Sequence, residues 1–107
     1  VSSGNSFVHE TESQVILNGS YNINFTMDLV LKDTGLFDDL AKKLGVPLEI
    51  SPKVVEIFKD GQKKYGSRAW SSMIVKRMED INKIDFRANG FPEELTDNEP
   101  EEKGYEI

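Results

Sequence analysis

The sequence predicts an all-α fold, a small helical bundle with about three main helices and an extended acidic C-terminal tail. In each helical segment the apolar residues recur with the helical period, and no stretch alternates long enough to form a sheet. The strongest pattern has apolar residues at steps of four or seven, at Phe25, Leu29, Leu36, Leu40 and Leu44. At about 100° per residue these positions fall on one side of a helix, which predicts the core face.

This helix has recognisable ends. Gly45 can take the positive φ that closes a helix, and Pro47 cannot continue the hydrogen-bond ladder. We therefore expect the helix to end at Leu44 or Gly45. Asn24 or Thr26 caps its start, because both side chains can accept a hydrogen bond from a free backbone N–H.

A short helix is predicted upstream of this segment. Ser6 offers a capping hydroxyl for a helix over residues 7–16, and acidic residues follow in its first turn. Asn18-Gly19-Ser20 then breaks the pattern, either as a loop or as a hairpin turn between short strands.

Two further main helices are predicted downstream. Ser51 is the expected N-cap of the first, with Pro52 at its first helical position, and Gly66 ends it. Gly61 lies inside this helix, where it favours close packing by another helix over the approach of a ligand. The last main helix has core residues at steps of four, four and three, at Trp70, Ile74, Met78 and Ile81, with Lys76 and Arg77 outside.

Charge divides the chain into a helical domain, residues 1–84, and an acidic tail, residues 85–107. Residues 92–107 hold seven of the 19 acidic residues and one of the 13 basic ones, so the rest of the chain is neutral, with twelve of each. Dense acids with Gly90, Pro92 and Pro100 predict a tail that is extended or disordered. A neutral body lacks the basic face that nucleic-acid binding needs, so no nucleic-acid partner is expected.

Composition excludes several other classes. The chain has no cysteine and a single histidine, so we expect no disulfide and no metal site. No apolar run approaches the length of a membrane span and no signal peptide opens the chain, which favours a cytoplasmic protein without a membrane partner. The Ser- and Asn-rich opening at Val1, without Met, suggests a piece of a longer protein.

Two charged residues fall within the apolar sector of the central helix. Relative to Leu29, Lys32 lies about 60° to one side and Asp33 about 40° to the other. One interpretation is an edge lysine that packs its methylene groups on the core, with Asp33 as an adjacent surface charge. The other is a face that borders a ligand cleft and presents a cation and an anion to it.

The whole string favours the second interpretation. Phe25, six intervening residues, Lys32-Asp33, a Gly-Leu pair, then an alanine and Gly45-Val46-Pro47 before Ser51-Pro52 resemble the C-terminal domain of the β-hydroxyacid dehydrogenases. That family includes 3-hydroxyisobutyrate dehydrogenase and tartronate semialdehyde reductase and is related to 6-phosphogluconate dehydrogenase. The resemblance spans residues 7–81, and it departs at Thr34, where the family motif has leucine.

The resemblance implies a role for three residues. Lys32 stands where the family has a lysine that reaches the nicotinamide cofactor, so it is the expected cofactor-binding residue. Asp33 is the acid of the motif, and Phe25 matches the aromatic wall of the substrate pocket. No catalytic residue is expected here, because the family's catalytic lysine and its glycine-rich dinucleotide fingerprint lie upstream of this region.

The function implied is that of the C-terminal, substrate-side and dimerisation domain of an NAD(P)-dependent dehydrogenase that oxidises a small 3-hydroxy acid by hydride transfer. NAD or NADP would bind the parent enzyme, while the fragment alone should be inactive and hold no cofactor. Its expected partners are the Rossmann domain of the same chain and a second copy, as a homodimer or an intertwined dimer. The alternative is a helical interaction module without enzymatic activity, whose apolar face docks a partner.

Overall fold

The fold is entirely helical over the residues that the computed structural model describes, which are 3–96, 100 and 103–104. These residues form four α-helices and a 3₁₀ helix and contain no strand, which confirms the all-α prediction. The elements are, in order, α1 (Phe7–Asn18), α2 (Met27–Leu44), α3 (Ser51–Tyr65), the 3₁₀ helix (Ser71–Val75) and α4 (Lys76–Asn82).

Helix α1 is capped as predicted and is slightly longer than predicted. The Ser6 hydroxyl accepts a hydrogen bond from the His9 N–H at 3.1 Å, which satisfies one free donor of the first turn. The helix runs on to Asn18 and closes at Gly19, whose φ of 90° only glycine adopts readily. The break at residues 18–20 is therefore a helix C-cap and not a hairpin turn.

Helix α2 ends where the sequence predicts, and it begins directly after Thr26, one of its two predicted caps. Gly45 closes it with a φ of 67°. Its first residue is Met27, because Thr26 is extended and pairs with Trp70 in an isolated antiparallel β-bridge. Thr26 is the N-cap by position, yet its hydroxyl donates to Asp28 and accepts no bond from the helix.

The predicted core face of α2 is wrong. Leu36, Leu40 and Leu44 are 63%, 55% and 66% exposed, whereas Met27 and Ala41 are buried. The helix carries a second apolar stripe, roughly opposite the leucines, and this stripe packs against α3. Helical periodicity identifies both stripes equally well. The stripe of leucines, which we predicted to be the core face, is the outer stripe.

Helix α3 confirms the close-packing interpretation of its internal glycine. A Cβ on Gly61 would lie 2.7 Å from Ile74 Cδ1 and 3.3 Å from Met27 Cε, so the absence of a side chain lets α2 and the 3₁₀ helix approach. The helix begins at Ser51, one residue earlier than predicted, because the Ser51 hydroxyl donates to Asp38 of α2 at 2.5 Å and does not cap. Gly66 ends it, as predicted.

The segment after α3 differs most from the prediction. A single helix with Met78 and Ile81 in the core is wrong, because both are exposed, while Ser72 and Glu79 are fully buried. Lys76 and Arg77, predicted to lie outside, are half-buried. The buried groups are polar but paired, so their burial does not leave hydrogen bonds unmade.

Residues 85–96 contain neither helix nor strand, and they lie alongside the C-terminal end of α1. The Ala88 N–H donates to the Leu17 carbonyl at 3.0 Å, and the Asn18 side-chain amide donates to the Phe91 carbonyl at 3.1 Å. The predicted boundary at residue 84 stays a prediction. The extended or disordered tail predicted over 85–107 falls partly on residues 97–99, 101–102 and 105–107, which lie outside the described residues.

Two glycine substitutions should have opposite effects on stability. Gly61→Ala places a methyl group against Ile74 and Met27, and the overpacking should outweigh the gain in helix propensity, for a net loss of about 1 kcal/mol. Gly35→Ala is the matched control, because it lies inside α2 with nothing within 4 Å of the added Cβ, and it should gain about 1 kcal/mol. Urea denaturation measures both, and equal stabilisation by the two variants would contradict the packing at Gly61.

Candidate functional site

Lys32 and Asp33 lie together on the outer face of α2. The Lys32 ammonium is 3.0 Å from the Asp33 carboxylate, and the two side chains are 59% and 56% exposed. Within the described residues, Asp33 is the single charged partner of Lys32. Both ends of this ion pair are therefore open to a ligand or to another domain.

The apolar surface around this pair is the leucine face, which we define as Leu29, Leu36, Leu40 and Leu44 with Phe37 beside them. On a helical projection Lys32 and Asp33 fall on either side of Leu36 and Leu40, as the sequence predicts. Four of its members, Leu36, Phe37, Leu40 and Leu44, are more than half exposed. A charged pair set within a continuous apolar stripe is typical of a surface that another molecule or domain covers.

Phe25 lies at the same end of α2 as the ion pair. It directly precedes the N-cap and is 37% exposed. Its carbonyl accepts a hydrogen bond from the Ser71 N–H at 2.7 Å, and the bridge between Thr26 and Trp70 follows immediately. Lys32 is five residues beyond Met27, about 7.5 Å along the helix axis. The fold thus brings an exposed aromatic ring and an exposed ion pair to one end of one helix.

A second ion pair borders this end of α2, and the sequence interpretation missed it. Arg68, after α3, lies 3.1 Å from the Asp28 carboxylate. The pKa of Asp28 is lowered, first because the Thr26 hydroxyl donates to it and then because of Arg68. An acid in the first turn of a helix was the available signal, since it also favours the helix dipole.

The least expected cluster is the triad of Tyr21, Glu79 and Arg87, in which Tyr21 and Glu79 are buried and Arg87 is exposed. Glu79 is 2% exposed, and the Tyr21 hydroxyl lies 2.8 Å from both of its carboxylate oxygens. Arg87 donates to Glu79 at 3.1 Å and to the Tyr21 hydroxyl at 2.8 Å. Tyr21 is 58 positions from Glu79, and Glu79 is 8 positions from Arg87, so no local sequence motif could predict the cluster.

The protonation of Tyr21 follows from its surroundings. Burial, and then the hydrogen bond to Glu79, raise the pKa of Tyr21 to about 12. The phenol therefore stays protonated at neutral pH and donates a hydrogen bond to the Glu79 side chain. Arg87 and Lys76 also approach the Tyr21 ring, 5.2 and 5.7 Å from its centroid, which adds cation–π attraction.

The described residues fit a dinucleotide in one respect. An exposed ammonium is a suitable donor to the carbonyl, hydroxyl or phosphate oxygens of such a cofactor, and Lys32 supplies one. No group of three or more histidine or acidic side chains among residues 3–96, 100 and 103–104 is arranged to hold a metal ion.

No helix in the same part of the chain is long and apolar enough to cross a bilayer. The cytoplasmic location stays a prediction.

Comparison with models of protein families matches residues 1–78 to a family described as NAD-binding of NADP-dependent 3-hydroxyisobutyrate dehydrogenase. Comparison with curated proteins and with solved structures finds no match. The matched residues include Phe25, Lys32 and Asp33, together with α1, α2, α3 and the 3₁₀ helix. The segment that follows α4 lies outside the match.

Removing the Tyr21 hydroxyl should destabilise the fold. Tyr21→Phe takes a donor from the buried Glu79 carboxylate, so we expect a loss of about 1.5 to 3 kcal/mol. Tyr65→Phe is the matched control, because that hydroxyl donates to Asp80 at 2.6 Å at an exposed site, and it should cost less than about 0.5 kcal/mol. Thermal unfolding of both variants measures the difference, and equal losses would argue against a structural role for the triad.

Proposed function

The chain belongs to the NAD-binding family of NADP-dependent 3-hydroxyisobutyrate dehydrogenases, and from this membership we propose that it is the C-terminal, substrate-side domain of an NAD(P)-dependent 3-hydroxy acid dehydrogenase. The single observation that carries the proposal is the placement of Lys32 and Asp33 within the exposed leucine face. A lysine with a purely structural role would not require exposed apolar side chains around it.

Lys32 is proposed to contact the dinucleotide. Its ammonium can donate to a cofactor oxygen while Asp33, 3.0 Å away, restricts where the side chain points. The family description itself names NAD binding, which supports a cofactor contact within residues 1–78. When bound, the nicotinamide cofactor accepts the hydride that leaves the hydroxy acid.

Phe25 and Asp33 are proposed to border the substrate. The Phe25 ring would exclude water from one side of a small 3-hydroxy acid, and its backbone is fixed by the hydrogen bond from the Ser71 N–H. An acid next to Lys32 also offsets the charge of the ammonium, so the substrate carboxylate would not be drawn to Lys32. No residue of this chain is proposed to move the substrate proton.

The leucine face is proposed to be covered in the complete enzyme. A Rossmann domain of the same chain would close over the Lys32 end of α2 and exclude water from the cleft, and the catalytic lysine would come from a helix upstream of this region. The chain alone would then be inactive and would hold no cofactor tightly. A second copy is proposed to cover the remaining leucines, as a homodimer or an intertwined dimer.

Substitution of Lys32 tests the cofactor contact. In the parent enzyme Lys32→Met should leave the stability within about 0.5 kcal/mol, because the methylene packing is kept. It should lower kcat/KM by ten- to a hundredfold, the equivalent of about 1.5 to 3 kcal/mol for one charged hydrogen bond. Lys53→Met, at a similarly exposed ion pair on α3, is the control and should leave the kinetics unchanged. Unchanged kinetics in Lys32→Met would remove the proposed cofactor contact.

Substitution within the leucine face tests the dimer. We expect the chain to self-associate at micromolar concentration, because the exposed leucines should pack against a second copy when no Rossmann domain covers them. Leu40→Lys should shift the chain towards monomer in sedimentation velocity, because a charge would be buried in the contact. Ile81→Lys, an equally exposed apolar residue on α4, should not. A wild-type chain that stays monomeric at high concentration would contradict the proposed dimer.

A further inference from the structure

The segment 85–96, here named the strap, runs beside the loop 20–24 that leads into Phe25. The Ser20 hydroxyl donates to the Glu93 carbonyl at 2.6 Å, and the Asn22 side-chain amide lies 3.5 Å from the Glu94 carboxylate. Upstream, Ala88 and Phe91 bond to Leu17 and Asn18. Successive strap residues therefore meet successive residues of α1 and the loop.

Arg87 anchors the strap to the body of the fold. Besides its bonds to Glu79 and Tyr21, its guanidinium donates to the Ile16 carbonyl at 3.4 Å. Gly19 makes room for it, because a Cβ there would lie 2.5 Å from Arg87 Nε. The buried Glu79 carboxylate has Arg87 as its ion-pair partner within the described residues. Release of the strap would therefore leave a buried charge without its cation.

The loop 20–24 has a backbone that needs such support. Tyr21 and Asn24 have φ values of 54° and 56°, in the left-handed region that residues other than glycine seldom occupy. Asparagine tolerates this region, but a tyrosine there persists only where its surroundings impose it. Ser72 imposes it from one side, by donating to the Tyr21 carbonyl at 2.6 Å. The strap imposes it from the other side, through Arg87 and the residues that follow.

The strap also forms part of a cleft next to Phe25. The cleft has a volume of about 460 Å³ and is lined by loop residues, by Trp70 and by two strap residues, namely Asn22, Ile23, Asn24, Trp70, Glu94 and Leu95. Asn24 is the residue before Phe25, and Trp70 pairs with Thr26 just after it. One wall of this cleft therefore exists only while the strap is docked.

From these contacts we propose that the strap positions the loop 20–24, which leads into Phe25. Arg87 is the positioning residue, and Glu94 and Leu95 form a wall beside the N-terminal end of α2. The catalytic consequence rests on the proposed function, in which Phe25 borders the substrate. The strap lies outside residues 1–78, so it is an addition to the part of the chain that the family model matches. Undocking would let Tyr21 and Asn24 relax to ordinary backbone angles and displace Phe25.

Trp70 makes the docking measurable, because it is the single tryptophan of the chain. Arg87→Gln should shift its emission to longer wavelength and increase its quenching by acrylamide, as Glu94 and Leu95 leave the cleft. Amide exchange of residues 20–25, followed by mass spectrometry, should accelerate in the same variant. Far-UV circular dichroism should stay at the wild-type value, because Arg87 lies in no helix.

A second variant covers the case in which Arg87→Gln does not fold. Asn18→Ala removes the bond to the Phe91 carbonyl of the strap and leaves the Glu79 ion pair intact, and it should shift the Trp70 emission in the same direction. Lys53→Gln, on the exposed side of α3, is the control and should change neither readout. Wild-type Trp70 emission and quenching in the folded strap variants would overturn the proposal.

Kinetics of the parent enzyme separate this proposal from the function on which it rests. The strap variants should raise KM for the hydroxy acid several-fold while KM for the cofactor stays the same, because Lys32 is not part of the strap. Equal changes in both constants would contradict positioning of Phe25. If the wild-type parent oxidised no hydroxy acid, the proposed function would fail, and the Trp70 measurements would still decide whether the strap docks.

Discussion

The pairing of Tyr21 with Glu79 is the interaction on which the rest of the fold depends. A carboxylate that is 2% exposed is costly unless its oxygens are bonded, and the Tyr21 hydroxyl meets both. This one contact fixes the loop after α1 against α4, and Ser72 of the 3₁₀ helix adds a bond to the Tyr21 carbonyl. In a chain whose buried apolar residues are few, a polar contact of this kind specifies how the helices meet.

Helix α2 shows why the apolar pattern had two possible meanings. It is apolar on two faces, of which one packs against α3 and the other is exposed to solvent. A helix with two apolar faces needs a second surface to cover the outer one. The proposed function would give that requirement a physical explanation, since a dinucleotide site needs a second surface to close it.

The sequence predicted what local chemistry controls. The cap at Ser6, the helix ends at Gly45 and Gly66, and the close approach at Gly61 all follow from the backbone limits of single residues, and all are found. It also placed Lys32 and Asp33 within an apolar sector. It failed where partners are distant along the chain: burial of Glu79 depends on a tyrosine 58 positions earlier, so helical periodicity selected Met78 and Ile81 instead.

Gly19 has two separate reasons to be glycine, and together they bear on how this protein can vary. Its φ of 90° disfavours any side chain, and its missing Cβ leaves the space that the Arg87 guanidinium occupies. Any natural variant at this position would therefore act in two places at once, at the end of α1 and on the strap. We expect residues 19 and 87 to vary as a pair, because a side chain at position 19 would occupy the space of the arginine.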